Sequence, residues 1–344
     1  MSDKTVLTII LNFRTPKMTL RSAAAALEDM SDLPGEVLII DNGSGDGSYE
    51  KLLNAAQARG WLDAGRLRIE AAPHNGGFGA GMNIGFGAKL STGAVPDFFY
   101  LLNSDAFPQR GCIHALRAFL LDHPKAGLVG SFVQGEDGLP HCTLFRFPTI
   151  TSEFEGAAQT GVISRLLSHA VVPLPIPDAA RQVNWTAGAS LMIRREVIET
   201  VGGFDETFFL YFEETELCHR AAKAGWQSFY VPDSSVIHVG SASTGMKTWP
   251  RTPEFWFDSR LHYFTSTHGR AYAAAATLAR LAGGAIYGLR RAISAKPRVE
   301  SAHFYGDLLR HHIKHLLGRR RAAPSPAAPL APDGKAVSLS EESK

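Results

Sequence analysis

Asp97-Phe98-Phe99-Tyr100-Leu101-Leu102-Asn103-Ser104-Asp105 is the stretch whose reading decides the fold. The apolar run from Phe98 to Leu102 suits a fully buried strand and is too short for an independent helix. It stops at Asn103-Ser104-Asp105, and Pro108 and Gly111 break the chain soon after. In an open α/β sheet, ligands bind outside the carboxyl ends of the strands. Such a strand would carry Asp105 to the rim where substrates collect. A carboxylate there suits a divalent cation, because hard cations in phosphate sites take one or two carboxylates plus water. Asn, Ser and Asp also cap turns and helices, so these nine residues alone leave both readings open.

The flanking sequence repeats the pattern. Residues 5 to 11 predict a buried strand ending at Asn12, and residues 17 to 30, rich in Ala and Leu, predict a helix. Glu36 to Asp41 is a second β-type run, followed by Asn42-Gly43-Ser44-Gly45-Asp46-Gly47-Ser48, where Ser48 can cap a helix to about Arg59. Leu67 to Ala71 is a short third strand. His74-Asn75-Gly76-Gly77-Phe78-Gly79-Ala80-Gly81 then opens a helix to about Leu90. After the central strand come a helix over 111–122 and a strand from Gly127 to Val133. Strands alternating with helices argue for βαβ units and a mainly parallel sheet, an α/β class.

Beyond residue 135 the pattern dissolves into Gly, Pro and isolated apolars up to 183, which reads as an insertion shaping a second substrate site. Val183 to Ile193 predicts one strand, Arg195 to Val201 and Glu213 to Ala224 predict helices, and Ser228 to Val231 and Ser235 to Val239 predict two closing strands. Helical segments follow over 254–292 and 299–318. The expected layout is a main domain over 1–250, a basic helical region over 251–321 and a disordered tail over 322–344, rich in Ala, Pro and Ser.

Composition sets outer limits. The 344-residue chain is 45% hydrophobic and 20% charged, which is ordinary for a globular protein, and its net charge of +2 gives no general reason to bind nucleic acid. Three cysteines without CxxC spacing fit a reducing compartment and offer no zinc framework. The apolar run near the N-terminus is shorter than a signal-peptide core. Ala271 to Leu289 is largely Ala and Leu but holds Arg280 at its centre, a charge that costs at least ~2.5 kcal/mol in a spanning helix. The expectation is a non-spanning, cytoplasmic protein.

Neither Gly-rich loop is the dinucleotide fingerprint. Gly77-x-Gly79-x-Gly81 places Met82 where GxGxxG needs glycine, and Gly43-x-Gly45 fails likewise at Ser48. Amides at a helix start still favour phosphate. A second acidic stretch, Gly203-Phe204-Asp205-Glu206-Thr207-Phe208-Phe209-Leu210-Tyr211-Phe212-Glu213-Glu214-Thr215-Glu216, crowds aromatics against carboxylates. Carboxylates in a first helical turn are stabilised by the helix dipole. Desolvated among Phe and Tyr, one of them also gains the raised pKa of a general base. His238 ends a short apolar run, where it is either structural or a metal ligand partnering Asp105.

In this order and spacing, these motifs resemble family 2 glycosyltransferases of the bacterial rhamnosyltransferase-like branch over residues 5 to 245. The resemblance rests on Asn12, Asp41-Asn42-Gly43-Ser44, Asn75-Gly76-Gly77-Phe78-Gly79, Asn103-Ser104-Asp105, Gly203-Phe204-Asp205-Glu206, the Tyr211 to Arg220 segment and His238. It implies a GT-A fold, a nucleoside-diphosphate sugar donor (dTDP-, UDP- or GDP-linked), a divalent metal (Mg2+ or Mn2+) and inversion at the anomeric carbon. By resemblance, the donor site comprises Asn12, Asp41, Asn42, Asn75, Gly77, Gly79, Asn103 and Ser104, with Asp41 on the base or ribose. Asp105 and His238 would hold the metal. Glu214, with Glu213 as its rival, would be the catalytic base, and Trp185, Gly188 and Tyr211 would line the acceptor region. Two positions depart from the family pattern: Asn103 replaces the first acid of the DxD-like motif, and Glu214-x-Glu216 replaces Asp-x-Asp.

The C-terminal region lies outside the resemblance. Phe304, Leu308, Leu309, Ile313, Leu316 and Leu317 mark one helical face, and Arg310, His311, His312, Lys314, His315 and Arg319 to Arg321 supply positive charge. Such a helix either docks peripherally on an anionic membrane surface, near a lipid-linked or polysaccharide acceptor, or packs back onto the domain. Two other functions compete with the transferase. A nucleotidyltransferase would need a basic Gly-rich loop, which Asn12-Phe13-Arg14-Thr15-Pro16 does not supply. A non-catalytic sugar-nucleotide-binding protein is motivated by Asn103 and the Glu replacements.

Overall fold

The computed structural model describes residues 4–240, 249–294 and 300–317. Its first half is a parallel sheet with connecting helices: β1 (Val6–Asn12), α1 (Pro16–Asp29), β2 (Gly35–Asp41), α2 (Ser48–Ala58), β3 (Leu67–Ala71), α3 (Phe78–Gly87) and β4 (Phe98–Asn103). Asn12 lies opposite Asp41, and Leu11 opposite Asn103. The polar residues that end these strands therefore stand side by side at one edge.

The chain continues through β5 (Ala106–Pro108), α4 (Cys112–Asp122), β6 (Ala126–Gln134), β7 (Pro140–His141), β8 (Leu144–Phe145), α5 (Ile150–Ala158) and α6 (Gly161–Leu166). Then come β9 (Arg181–Val183), β10 (Trp185–Thr186), β11 (Ser190–Arg194), α7 (Arg195–Val201), α8 (Glu213–Lys223) and β12 (Gln227–His238). Three helices close the described chain: α9 (Glu254–His268), α10 (Arg270–Ser294) and α11 (Phe304–Leu317). The sheet runs β3-β2-β1-β4-β11-β6-β12-β5. β11 is antiparallel to both β4 and β6, β12 is parallel to β6, and β5 lines the outer edge of β12 antiparallel.

Apolar side chains alternate into two layers. Val6, Ile10, Val37, Ile39, Phe98 and Leu102 pack with α1 and α4, while Leu7, Ile9, Leu38, Ile40, Phe99 and Leu101 pack with α3, α7 and α8. Burial on both faces explains why these strands read as unbroken apolar runs.

Several expectations are corrected. Residues 135–183 are not patternless: α5 carries a capping box between Thr149 and Ser152 and packs along α10. Glu153 of α5 is buried with Arg260 Nε at 2.9 Å and Arg280 Nη1 at 3.5 Å, tying this region to α9 and α10. Those partners lie more than a hundred residues downstream, so no local pattern announces them. Val183 to Ile193 is three short strands, because Asn184 and Ala187-Gly188-Ala189 interrupt it and each piece has a different partner. The two closing strands are one, β12, with a register shift between Val231 and Ser235 where Pro232 cannot donate to the ladder. The long helix over 254–292 breaks at Gly269, whose φ of 89° is left-handed.

The single apolar face expected of α11 is divided. Phe304 and Leu308 are buried against Trp256, Phe257 and Leu281, whereas Leu309, Ile313 and Leu316 are exposed. No helix among the described residues is long and apolar enough to cross a membrane, and Arg280 instead pairs with Glu153 and Glu300. The expected disordered tail, Arg319 to Arg321 and the junction near residue 245 lie outside the described residues.

Candidate active site

The loops at the carboxyl edge of the sheet are laced together by side chains. Asn12 Nδ2 donates to Asp41 Oδ1 at 2.6 Å, as does Ser44 Oγ at 2.6 Å, and Ser44 N reaches Asp41 Oδ2 at 3.2 Å. Asp41 is buried, with both oxygens engaged in shaping its own loop. Asn42 Nδ2 donates to Asn75 Oδ1 and to Gly77 O, each at 3.0 Å, which couples the loops after β2 and β3. Thr15 Oγ1 meets Ser104 Oγ at 3.3 Å, and Ser22 Oγ donates to Asn103 O at 3.1 Å. The sequence-derived donor residues are therefore brought together along one rim.

The two motif glycines have a packing explanation. A Cβ on Gly77, whose φ is 92°, would stand 2.1 Å from the Phe209 carbonyl oxygen, and one on Gly79 would stand 2.8 Å from Phe204 Cβ. Both let the start of α3 lie against the segment leading into α8. Phe78 N donates to Phe209 O at 3.0 Å, and the Asn83 amide pairs with both Phe204 N and Phe204 O.

β5 and β12 create the next pair. Their register sets Ala106 opposite His238, and the adjacent Asp105 Oδ1 stands 3.1 Å from His238 Nε2. Asn103 Nδ2 is 3.4 Å from the same ring nitrogen. A carboxylate just ahead of β5 and an imidazole ending β12 would suit a divalent cation, which would leave room for phosphate oxygens and water. Asn103 adds an amide but no charge.

α8 is entered through strain. Tyr211 and Phe212 have φ of 71° and 69°, and two successive non-glycine residues in the left-handed region cost about 1–3 kcal/mol each. The turn sets Glu213 and Glu214 at the helix start. Gly188 N donates to Glu214 Oε1 at 3.4 Å, while Oε2 of each glutamate is buried without a hydrogen-bond partner. Burial pushes both carboxyls above their usual range, and for Glu213 the neighbouring Glu214 charge adds to it. Glu216 differs: it accepts from Arg220 Nε at 2.6 Å and Nη2 at 2.8 Å, and Arg220 also caps Gly203 O. Its carboxylate is committed to holding the 203–212 segment.

The acceptor-region residues are spread around this pair. Gly188 abuts Glu214 and the Phe78 ring, Tyr211 packs with Trp249 and Phe255, and Trp185 stacks on Phe145 with its indole N–H on Arg146 O. Sequence reasoning missed Asn83 and His262. His262 Nε2 lies 2.7 Å from Asp205 Oδ2, although the two residues belong to different regions of the chain. The Gly-Phe-Asp-Glu motif pointed to Asp205, but nothing local pointed to its partner.

Comparison with known proteins agrees with this architecture. The family described as Glycosyl transferase family 2 matches residues 8–170, and Glycosyl transferase family group 2 matches residues 98–290. The N-acetylglucosaminyl-diphospho-decaprenol L-rhamnosyltransferase of Mycobacterium tuberculosis is 30% identical over 261 residues, covering 70% of this chain and 78% of that protein. Rhamnosyltransferase WbbL of Escherichia coli is 39% identical over 56 residues, 16% of this chain and 21% of its own. Among solved structures, the mannosyltransferase PcManGT of Pyrobaculum calidifontis, in complex with GDP-Man and Mn2+, superposes with a TM-score of 0.56 at 14% identity, covering 91% of this chain and 87% of that one. That likeness speaks for the fold alone. With the family group 2 match spanning more than half the chain and the rhamnosyltransferase relative covered over 78% of its length, this protein belongs to the family 2 glycosyltransferases, rhamnosyltransferase-like in sequence and GT-A in fold.

Proposed function

We propose that this glycosyltransferase moves a sugar, with rhamnose the favoured candidate, from a nucleoside diphosphate to a hydroxyl of a lipid-linked glycan, with inversion. The reaction type rests on one observation above all: Glu214 is a desolvated carboxylate with one oxygen oriented by Gly188 N and the other buried and unused. A general base needs such an oxygen, with its pKa raised toward the working pH. The donor and acceptor classes rest on the rhamnosyltransferase relative.

In this reading, Glu214 takes the proton of the acceptor hydroxyl as that oxygen attacks the anomeric carbon. The bond to the diphosphate oxygen breaks on the opposite face, and the nucleoside diphosphate leaves. Asn12, Asp41, Asn42 and Asn75 shape the nucleotide pocket, Asp41 acting through the loop it pins. Asn103 and Ser104 lie beside the diphosphate, and Trp185, Gly188 and Tyr211 face the acceptor. Held at Asp105 and His238, a divalent cation would supply positive charge for the departing diphosphate. Glu213, more deeply buried, keeps the shared proton and leaves Glu214 the ionised member of the pair.

A lipid-linked acceptor calls for contact with a membrane surface. Exposed apolar side chains on α6 (Val162, Leu166) and at the end of α10 (Leu289, Ile293) support it, with Arg165, Arg290 and Arg291 among them. Arg290 Nη1 donates to Gln159 O at 2.7 Å, fastening the end of α10 to the residue that caps α5 ahead of α6.

The test is release of nucleoside diphosphate from a panel of dTDP-, UDP- and GDP-sugars with a polyprenyl-diphosphate glycan acceptor, in Mn2+ or Mg2+ against EDTA. Metal-dependent turnover of one donor, lost in Glu214→Gln, is expected. Tight donor binding with no turnover on any such acceptor would return the protein to the non-catalytic reading.

A further inference from the structure

A cluster of metal-ligating side chains joins α11 to α9, apart from the rim of the sheet. His311 and His315 are i and i+4 on α11 and so share one helical face. Their ring centroids are 4.1 Å apart. Asp258 of α9 faces both: its Oδ1 is 2.7 Å from His311 Nε2 and 3.7 Å from His315 Nε2. One ligand atom from each of the three lies within 4.8 Å of the others.

The orientation of His315 is the informative part. Its Nδ1 donates to the His311 carbonyl at 2.9 Å, so in the neutral imidazole the ring proton sits on Nδ1 and the Nε2 lone pair faces Asp258. Metal-bound imidazoles are commonly oriented in this way, one nitrogen on a backbone carbonyl and the other on the ion. A hydrogen bond joins Asp258 to His311 alone; His315 Nε2 reaches the same carboxylate only at the longer ion-pair distance of 3.7 Å, too far for a hydrogen bond. His312, the next residue, turns away to Thr277 at 3.4 Å and takes no part.

We propose that Asp258, His311 and His315 form a zinc site that clamps α11 onto α9. Two imidazoles and a carboxylate, with the fourth position taken by water, are a common zinc ligand set, and the mixture favours zinc over magnesium. It needs no cysteine. Because the ligands come from two helices that separate on unfolding, the ion stabilises the native state. The Asp105–His238 pair is a different site, with a hard cation and phosphate as its chemistry.

The experiment uses the full chain without a histidine tag, stripped by chelator, in an Asp105→Ala background so that the sheet-edge pair does not contribute. Zinc is titrated against a chromophoric chelator, and melting is followed with Zn2+ and with Mg2+. One equivalent of zinc and a zinc-specific rise in melting temperature are expected. Adding His315→Ala or Asp258→Asn should weaken zinc binding by at least ~100-fold and remove that rise. The His315 side chain is partly solvent-exposed and makes no hydrogen bond to Asp258, so His315→Ala should melt as the metal-free parent does, whereas Asp258→Asn also loses its contact with buried His311. Equal zinc uptake by parent and variants, or none by the parent, would overturn the site. Neither outcome bears on Glu214 or on sugar transfer.

Discussion

His262 Nε2 lies 2.7 Å from Asp205 Oδ2, and this contact fastens α9 to the segment that delivers Glu213 and Glu214. The His262 ring also meets Phe208 edge-on, with centroids 4.7 Å apart. Burial pushes the Asp205 carboxyl up, but hydrogen bonds from His262 and Thr207 outweigh it and hold the group below its usual range. The C-terminal helices thus buttress the loop that carries the strained Tyr211 and Phe212.

Replacing His262 with Ala should therefore reach the chemistry from outside the site. A displacement of about 1 Å in a catalytic group can cost on the order of 100-fold, so kcat is expected to fall about 10- to 100-fold. KM for the donor should change little. His262→Gln, which retains a donor, should recover part of the loss; steady-state kinetics of the two variants against both substrates checks this.

Glu214→Gln removes the proposed base. The expected loss in kcat is roughly 100- to 10,000-fold, with donor affinity measured by calorimetry unchanged. The pH–rate profile of the unaltered enzyme should rise through an apparent pKa above the ordinary glutamate range, a value that belongs to the pair with Glu213. In Glu213→Gln that limb should stay close to its place, because Glu213 is already the uncharged member of the pair and burial is what raises Glu214.

Glu213→Gln should also stabilise the fold. A carboxyl whose pKa is raised on folding binds its proton more tightly in the native state, so its contribution is favourable at low pH and is lost as pH rises through the folded value. At neutral pH the substitution is expected to raise Tm, by roughly 2 °C if it relieves about 1 kcal/mol. The difference should vanish as pH falls below the usual carboxylate range. Melting curves across pH, with parent and variant overlaid, would show the crossover.

Asp105→Ala and His238→Ala should each abolish metal-stimulated turnover. His238→Asn is expected to keep only a small residue of it. If activity in these variants matched the parent and still disappeared in EDTA, the metal would have to be held elsewhere. Asp41→Asn is a useful contrast: its damage should appear in donor KM and in loop order rather than in the metal requirement.

Sedimentation with vesicles tests the membrane face. The full chain should bind vesicles rich in anionic lipid and release them as salt rises. Leu289→Glu with Ile293→Glu should reduce that binding at least tenfold while leaving transfer to a water-soluble acceptor intact, since both side chains are exposed.

The parallel half of the sheet was legible because strands buried on both faces must be apolar throughout, and each ends in polar turn residues. Val6–Asn12, Gly35–Asp41, Leu67–Ala71 and Phe98–Asn103 lie within a residue or two of their expected bounds. Legibility failed where partners are distant. β5 has three residues, one of them Pro108, and is a strand only because β12 pairs with it. Glu153 of α5 finds Arg260 from α9, and Asp205 finds His262, across separations of 107 and 57 residues. At the candidate site, motif spacing singled out Asn12, Asp41, Asn75, Asp105, Glu214 and His238, of which Asn12 meets Asp41 and Asp105 meets His238. The i, i+4 spacing of His311 and His315 was visible too, but Asp258 becomes their neighbour only once α9 and α11 meet.

The pairing of β5 with β12 has a kinetic consequence. Asp105 and His238 are 133 residues apart, and they meet through a three-residue edge strand that cannot stand alone. Contacts between segments so far apart in the chain form slowly, because a long loop must close before they are rewarded. The βαβ half can collapse early, while the Asp105–His238 pair waits for β12 to dock. During refolding, transferase activity should therefore return after helical signal does, and a nascent chain lacking β12 has no such pair to offer.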